Sequence, residues 1–220
     1  MTAIFVAFFL VCHFLIGHAQ ATDLKNSVIG NPVAGKEKLD EERCLECHDA
    51  NGHDLSQGAV NKFATLSGQL EGYIVKQVHD FRDGKRRYDF MTMVAKNLSE
   101  QDLADIASFF SQQKKRRGDG GSSGENSLAN NLFQHGDAAR NIIACIQCHG
   151  ADGQGRIDGN TIYPAIAGQQ WSYLEQQLRN WRSGERNNST GDSADNVMGN
   201  AAKLLTDDEI TALSHYLAGL

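Results

Sequence analysis

Apolar residues recur at helical spacing in several stretches of this chain, and the stretches come in pairs. Beyond Ser99, the residues Leu103, Ile106, Phe109 and Phe110 share one stripe; beyond Thr206, Ile210, Leu213, Tyr216 and Leu217 do the same. Both stripes open on a capping signature, Ser99-x-x-Asp102 and Thr206-x-x-Glu209, the second with the usual glutamate and the first with the shorter aspartate. Earlier in each set, Tyr73, Val78 and Phe81 are matched by Tyr173, Leu178 and Trp181 on a second helix. A third pair, VAGKEKLDEERCLECH and FQHGDAARNIIACIQCH, suits an N-terminal helix that runs to the cysteines. No segment carries a strand pattern, and the polar, glycine-rich stretches after His48 and His149 read as loops. The expected class is all-α.

The pairing extends to identities. GQLEGYIVKQVHDFRDGKR overlays GQQWSYLEQQLRNWRSGER with an offset of 100, and Gly68, Gln69, Tyr73, Gln77, Arg82, Gly84 and Arg86 all recur. MTMVAKNLSEQDLADIASFF overlays MGNAAKLLTDDEITALSHYL with an offset of 107. Gly35 and Gly136 each stand nine residues before the first cysteine of their group. Between the copies lies GDGGSSGENS, a composition that makes a flexible connector. The expected organisation is a leader over residues 1–21, a first unit over 22–117, a linker over 118–130 and a second unit over 131–220.

The leader is the run AIFVAFFLVCHFLIG followed by HAQA, an apolar stretch before a small-x-small site, as in a secretory signal cut after Ala21. The competing reading, an uncleaved anchor, is weakened by its length, since a full span needs ~20 apolar residues. Export would remove Cys12, the fifth cysteine, and put the mature chain outside the cytoplasm. Net charge is −6, and its distribution matters more than its sum. Residues 22–118 carry fifteen Lys and Arg against fifteen Asp and Glu, whereas residues 119–220 carry six against twelve. A molecule with one neutral and one acidic half is oriented by a charged partner. An acidic exported chain is a poor nucleic-acid binder, so Lys114, Lys115, Arg116 and Arg117 read as a solvated helix end.

The four remaining cysteines form RCLECHD and ACIQCHG: Cys44, Cys47 and His48, then Cys145, Cys148 and His149. C-x-x-C-H is the pattern of covalent haem attachment. Two thiols one helical turn apart form thioethers with the haem vinyl groups, and the adjoining imidazole becomes the proximal iron ligand. Zinc would need the two pairs to converge on one four-thiolate site across 97 residues. A thioredoxin-like disulfide would leave both histidines unexplained and would want a βαβ unit. Haem also explains how ~100-residue helical units with modest cores fold, because the macrocycle adds apolar surface to bury. Without haem each unit is expected to be largely unfolded.

Haem requires a sixth ligand once per unit. Met91 lies eight residues before Ser99, and Met198 eight before Thr206. Met93 is the rival to Met91, but its repeat position is Asn200. The competing role for such a methionine is filling a gap in the core. His53, His79, His135 and His215 are not repeated and read as surface residues, although a bis-histidine site stays open. Tyr73/Tyr173 and Arg82/Arg182 are candidates to hydrogen-bond haem propionates, or equally a core aromatic and an exposed base.

Tandem C-x-x-C-H units, each followed by GQ…Y…Q…F/W-R-x-G-x-R and then by M…A…L-S/T-x-x-D/E, resemble the dihaem cytochromes c4 of bacteria over essentially the whole mature chain. The resemblance implies two tandem cytochrome c-like domains, each a few helices wrapped around a covalent haem, so two haem c in all. It implies His48 with Met91 and His149 with Met198 as axial ligands. It implies a periplasmic electron carrier without enzymatic activity, serving redox partners such as a terminal oxidase, a quinol-oxidising complex or other cytochromes; peripheral membrane association stays open. One departure is notable. The second unit has YPAIAGQ with Pro164, whereas the first has FATLSGQ with Ala64 in that position and Asp49 after the histidine. The two haem sites are therefore expected to be unequal. The alternative function is the cytochrome subunit of a periplasmic oxidoreductase such as flavocytochrome c sulfide dehydrogenase. A dihaem peroxidase or a haem gas sensor would need an open iron.

Overall fold

The computed structural model describes residues 28–48, 62–118, 127–186 and 196–220. The expected leader (with Cys12), Asp49 and His53 lie outside them. Among the described residues the regular structure is helical apart from one short hairpin, and the chain forms two helical units. In the first unit, α1 (Pro32–Glu41) is followed by a 3-10 turn at Cys44–Glu46, α2 (Glu71–Arg82), α3 (Asp89–Asn97) and α4 (Glu100–Ser111). In the second, α5 (Ser127–His135) leads through a 3-10 turn at Ala138–Arg140 to the short α6 (Ile146–His149). The hairpin β1 (Arg156–Asp158) and β2 (Thr161–Tyr163) follows, and then α7 (Trp171–Ser183), α8 (Val197–Lys203) and α9 (Asp207–Gly219).

Several helix starts carry the capping chemistry of their sequence. Asn31 caps α1 by accepting from the Val33 and Ala34 amides, and Pro32 occupies the first helical position. Both capping boxes close: Ser99 and Asp102 bond reciprocally at the start of α4, and Thr206 and Glu209 do so at α9. The aspartate, one methylene short of glutamate, reaches the Ser99 amide at 3.1 Å.

Each stripe becomes a core. In the first unit Leu39, Ile74, Ile106, Ala107 and Phe110 form one buried cluster, and Val78, Phe81, Ala95 and Leu103 another. In the second, Leu132, Phe133, Leu174, Leu178, Ile210, Leu213 and Tyr216 belong to a single cluster. α1 lies across α4 at close range, because a Cβ on Gly35 would sit 2.1 Å from the Asp105 carbonyl oxygen.

Three expectations change. The N-terminal helices do not reach the cysteines: α1 ends at Glu41 and α5 at His135, where Gly136 takes a positive φ of 69°. Residues 127–130, expected in the linker, are already helical, and Ala129 is fully buried. The loop after His149 contains a hairpin, Arg156 pairing with Tyr163 and Asp158 with Thr161 around Gly159-Asn160. Its strands are only three residues long, too short to show a period of two, and Gly159 at φ 55° was its one turn signal.

Candidate functional site

Cys44, Cys47 and His48 occupy one helical turn. The Cys47 and His48 amides both donate to the Cys44 carbonyl, at 3.2 and 2.8 Å. The second unit repeats this, with the Cys148 and His149 amides on the Cys145 carbonyl at 3.2 and 2.9 Å. The turn puts the paired thiols on one side with the imidazole beside them. All four thiols are half-buried and carry no disulfide. Burial pushes the Cys44 and Cys145 thiols up to about 11. Among the described residues no group of three or more His, Cys, Asp and Glu is assembled for a metal. The two pairs thus do not converge, and the zinc alternative loses its donor set.

The histidines are held in the same way. His48 Nδ1 lies 2.7 Å from the Ala64 carbonyl, and His149 Nδ1 lies 2.9 Å from the Pro164 carbonyl. A carbonyl oxygen only accepts, so Nδ1 carries the proton and Nε2 presents its lone pair. Burial also keeps both rings neutral, drawing their pKa below the ordinary histidine value; for His48 the Arg86 cation adds to the effect. A neutral imidazole with Nδ1 anchored on a backbone carbonyl is the form that binds a metal through Nε2. Two thiols and such an imidazole on one turn fit a covalently attached haem, and both units offer the set.

The loop that returns under His149 depends on close backbone approach. The Gly155 amide donates to the His149 carbonyl at 2.8 Å, and a Cβ at Gly155 would sit 2.6 Å from both the Tyr163 oxygen and the Ala165 nitrogen. Glycine lets the chain fold back so that Pro164 meets the ring. In the first unit Ala64 meets His48 without a proline, so the missing ring does not prevent the contact.

The candidate methionines differ in placement. Met91, on α3, packs against the cluster of Val78, Phe81, Ala95 and Leu103, and Met198, on α8, packs against the core of the second unit. Met93 is 55 % exposed. The other candidates are drawn elsewhere. Arg82 donates to the Ala95 and Leu98 carbonyls and pairs with Glu100; Arg182 donates to the Leu205 carbonyl and to Asp207. Each arginine thus ties its second long helix to the start of its last one. Among the other described histidines, His135 is exposed, His79 faces Glu100 at 3.3 Å with its side chain partly exposed, and His215 stacks on Trp171, its centroid 4.5 Å away.

Tyr73 and Tyr173 lie at the seam between the units, bonded in crossed fashion. Arg86 donates to the Tyr173 hydroxyl and Gln177, and Arg186 to the Tyr73 hydroxyl and Gln77. Arg116 is buried there too, against expectation for a basic run. Its guanidinium donates to the carbonyls of Thr65, Ser67 and Ala165, while Lys114, Lys115 and Arg117 remain exposed.

Two matching thiol–imidazole turns, one in each of two similar helical units, are the arrangement of a tandem cytochrome. The sequence pattern of the family described as Cytochrome c matches residues 32–114 and again 132–220. A cytochrome c4 of Pseudomonas aeruginosa is 37% identical over 193 residues, covering 87% of this chain and 89% of its own. The chain belongs to the cytochrome c4 family. It accordingly carries two covalently bound haem c and is a dihaem electron carrier with redox proteins as partners. The solved reduced recombinant cytochrome c4 from Pseudomonas stutzeri superposes with a TM-score of 0.72 at 32% identity, over 87% of this chain and 99% of that one. A Stutzerimonas stutzeri protein named thiosulfate dehydrogenase electron acceptor is 32% identical over 179 residues, 80% of this chain and 78% of its own.

Proposed function

We propose that the chain is a periplasmic relay that takes electrons from a respiratory donor at one unit and delivers them from the other, toward a terminal oxidase. In this reading residues 1–21 are removed on export, and the units over 22–117 and 131–220 each hold one haem. Cys44 and Cys47 make the thioethers of the first and Cys145 and Cys148 those of the second; His48 with Met91, and His149 with Met198, are the axial ligands. The observation that carries it is the repeated Nδ1 anchor of His48 and His149, which leaves each Nε2 ready for iron.

Haem c, once bound, supplies a one-electron iron couple. The residues determine how that couple is used. A neutral nitrogen on one side and a soft thioether on the other favour the reduced state relative to two imidazoles. With His48 and Met91, and His149 and Met198, holding the iron, no coordination position would be left for a substrate, and the bound haem would supply electron exchange without bond chemistry. The half-buried placing of Met91 and Met198 against the cores, and the exposure of Met93, support that choice of sulfur. The charge split between the halves, zero against −6, favours different partners at the two ends.

The test is the optical spectrum of the oxidised protein. The weak long-wavelength band of methionine-to-ferric ligation should fall by half in Met91→Ala and by half in Met198→Ala, and should persist in Met93→Ala. An unchanged band in either of the first two removes that ligand from the scheme. The relative named for thiosulfate dehydrogenase supports a second reading, in which the electron donor is a periplasmic thiosulfate-oxidising enzyme. Stopped-flow reduction by such an enzyme, compared with reduction by a quinol-oxidising complex, separates the two.

A further inference from the structure

Each of the two histidines is oriented by a peptide group, and each peptide group is held from the opposite unit. The Ala64–Thr65 peptide accepts the His48 proton on its oxygen, and its Thr65 N–H donates to Gln169 Oε1 at 3.0 Å. The Pro164–Ala165 peptide accepts the His149 proton, and its Ala165 N–H donates to Gln69 Oε1 at 3.0 Å. Each glutamine then closes a second bond: Gln169 Nε2 donates to the Thr65 carbonyl at 3.0 Å, and Gln69 Nε2 to the Ala165 carbonyl at 2.9 Å. The amide orientation is dictated by the backbone. Oε1 of Gln69 also accepts from the Leu70 amide, and Oε1 of Gln169 from the Gln170 amide, so only an oxygen fits there. Both side chains are buried, 5 % and 4 % exposed.

We propose that Gln69 and Gln169 are crossed positioning residues, each setting the orientation and electron donation of the iron-ligating imidazole in the other unit. The physical route is short. A peptide N–H that donates a hydrogen bond polarises its own carbonyl and makes it a stronger acceptor. A stronger acceptor on Nδ1–H gives the imidazole more anionic character, which favours ferric iron. Losing the glutamine weakens the acceptor, so the potential of the haem across the seam rises. Arg116 belongs to the same lattice, because it donates to the Thr65 and Ala165 carbonyls that the glutamines also hold. The proposal goes beyond the electron-relay reading but rests on its assignment of His48 and His149 as ligands.

The experiment uses the haem-loaded protein and the variants Gln69→Met and Gln169→Met, which keep side-chain length and remove the amide. In the reduced, diamagnetic state, NMR follows the Nδ1 proton of each proximal histidine. Gln69→Met is expected to speed solvent exchange of the His149 proton about tenfold or more and leave that of His48 unchanged; Gln169→Met should do the reverse. Redox titration should show the haem across the seam moving upward, with ~59 mV for each tenfold change in its oxidised-to-reduced equilibrium. An effect confined to the glutamine's own unit, an equal effect at both histidines, or none at either overturns the proposal. Equal effects would mean that the glutamines only glue the halves together. Gln69→Asn and Gln169→Asn, one methylene too short to reach the peptide, repeat the test with less disturbance should a methionine variant fail to fold. Failure of the ligand assignment is visible beforehand: a histidine that does not bind iron lacks, in the unmodified reduced protein, the upfield ring-current shift of a group on the porphyrin face.

Discussion

Replacing Arg116 with methionine tests how the seam between the units is held. The guanidinium is 4 % exposed and donates to three carbonyls, while Nε finds no acceptor. None of these acceptors is a carboxylate. Burial pulls its pKa down to about 10, although Tyr73 and Tyr173 offset part of the effect. The folded value lies below the ordinary one, so folding disfavours the charged form, and the cost is fully present at every pH below about 10. That cost is on the order of 3 kcal/mol. Against it stand hydrogen bonds whose loss costs about 1–3 kcal/mol for each group left unsatisfied. Thr65 O and Ala165 O keep their donors from Gln169 and Gln69, so the loss is smaller than three bonds suggest. Methionine keeps most of the packing volume. Arg116→Met is therefore expected to change the unfolding free energy by less than about 2 kcal/mol in either direction. Urea unfolding of the haem-loaded protein at neutral pH, followed by far-ultraviolet circular dichroism, measures it. A loss above about 4 kcal/mol refutes the reasoning, and would mean that a counter-charge lies beside the guanidinium in the loaded protein.

Ala64→Pro gives the first unit the residue that the second has at Pro164; it should stabilise by about 0.4–1 kcal/mol through the unfolded chain and bring the two reduction potentials closer together, as read by thermal unfolding and redox titration. A wider gap between the potentials would contradict it. Glu209, buried beneath Arg140 and bonded to it at 2.5 Å, is held below the ordinary carboxylate value of 4.5 by that hydrogen bond first, and by the bond from the Thr206 amide as well. Its folded pKa is depressed, so its contribution is complete above about 4.5 and is lost as pH falls through the folded value. Glu209→Gln should flatten the acid limb of the stability profile in that window, and an unchanged limb would show that Glu209 does not drive acid unfolding.

The second and last long helices of each unit, their two capping boxes and the two thiol–imidazole turns were legible in the linear order because each depends on neighbours a few residues apart, whereas α3 and α8 were not read as helices of their own. Helical stripes, capping boxes and C-x-x-C-H all act within about one or two turns. The internal repeat strengthened every such reading, since Met91 and Met198 stand out by recurring at one spacing. The short hairpin escaped because strands of three residues leave no period, and the early ends of α1 and α5 escaped because helix boundaries are decided by local caps that the apolar pattern does not mark.

Other roles belong to the tertiary structure alone. Gln69, Gln169, Tyr73 and Arg86 recur in the repeat, which marks them as constrained. Their partners, however, lie between 87 and 113 residues away on the opposite unit, beyond any local signal. Arg116 looks like its solvated neighbours Lys115 and Arg117; it is buried because the connector passes between two carbonyl-lined loops that meet only after both units have folded. Local interactions choose the elements, whereas the pairing of buried polar groups is settled at the seam, where each donor must find an acceptor once water has been excluded.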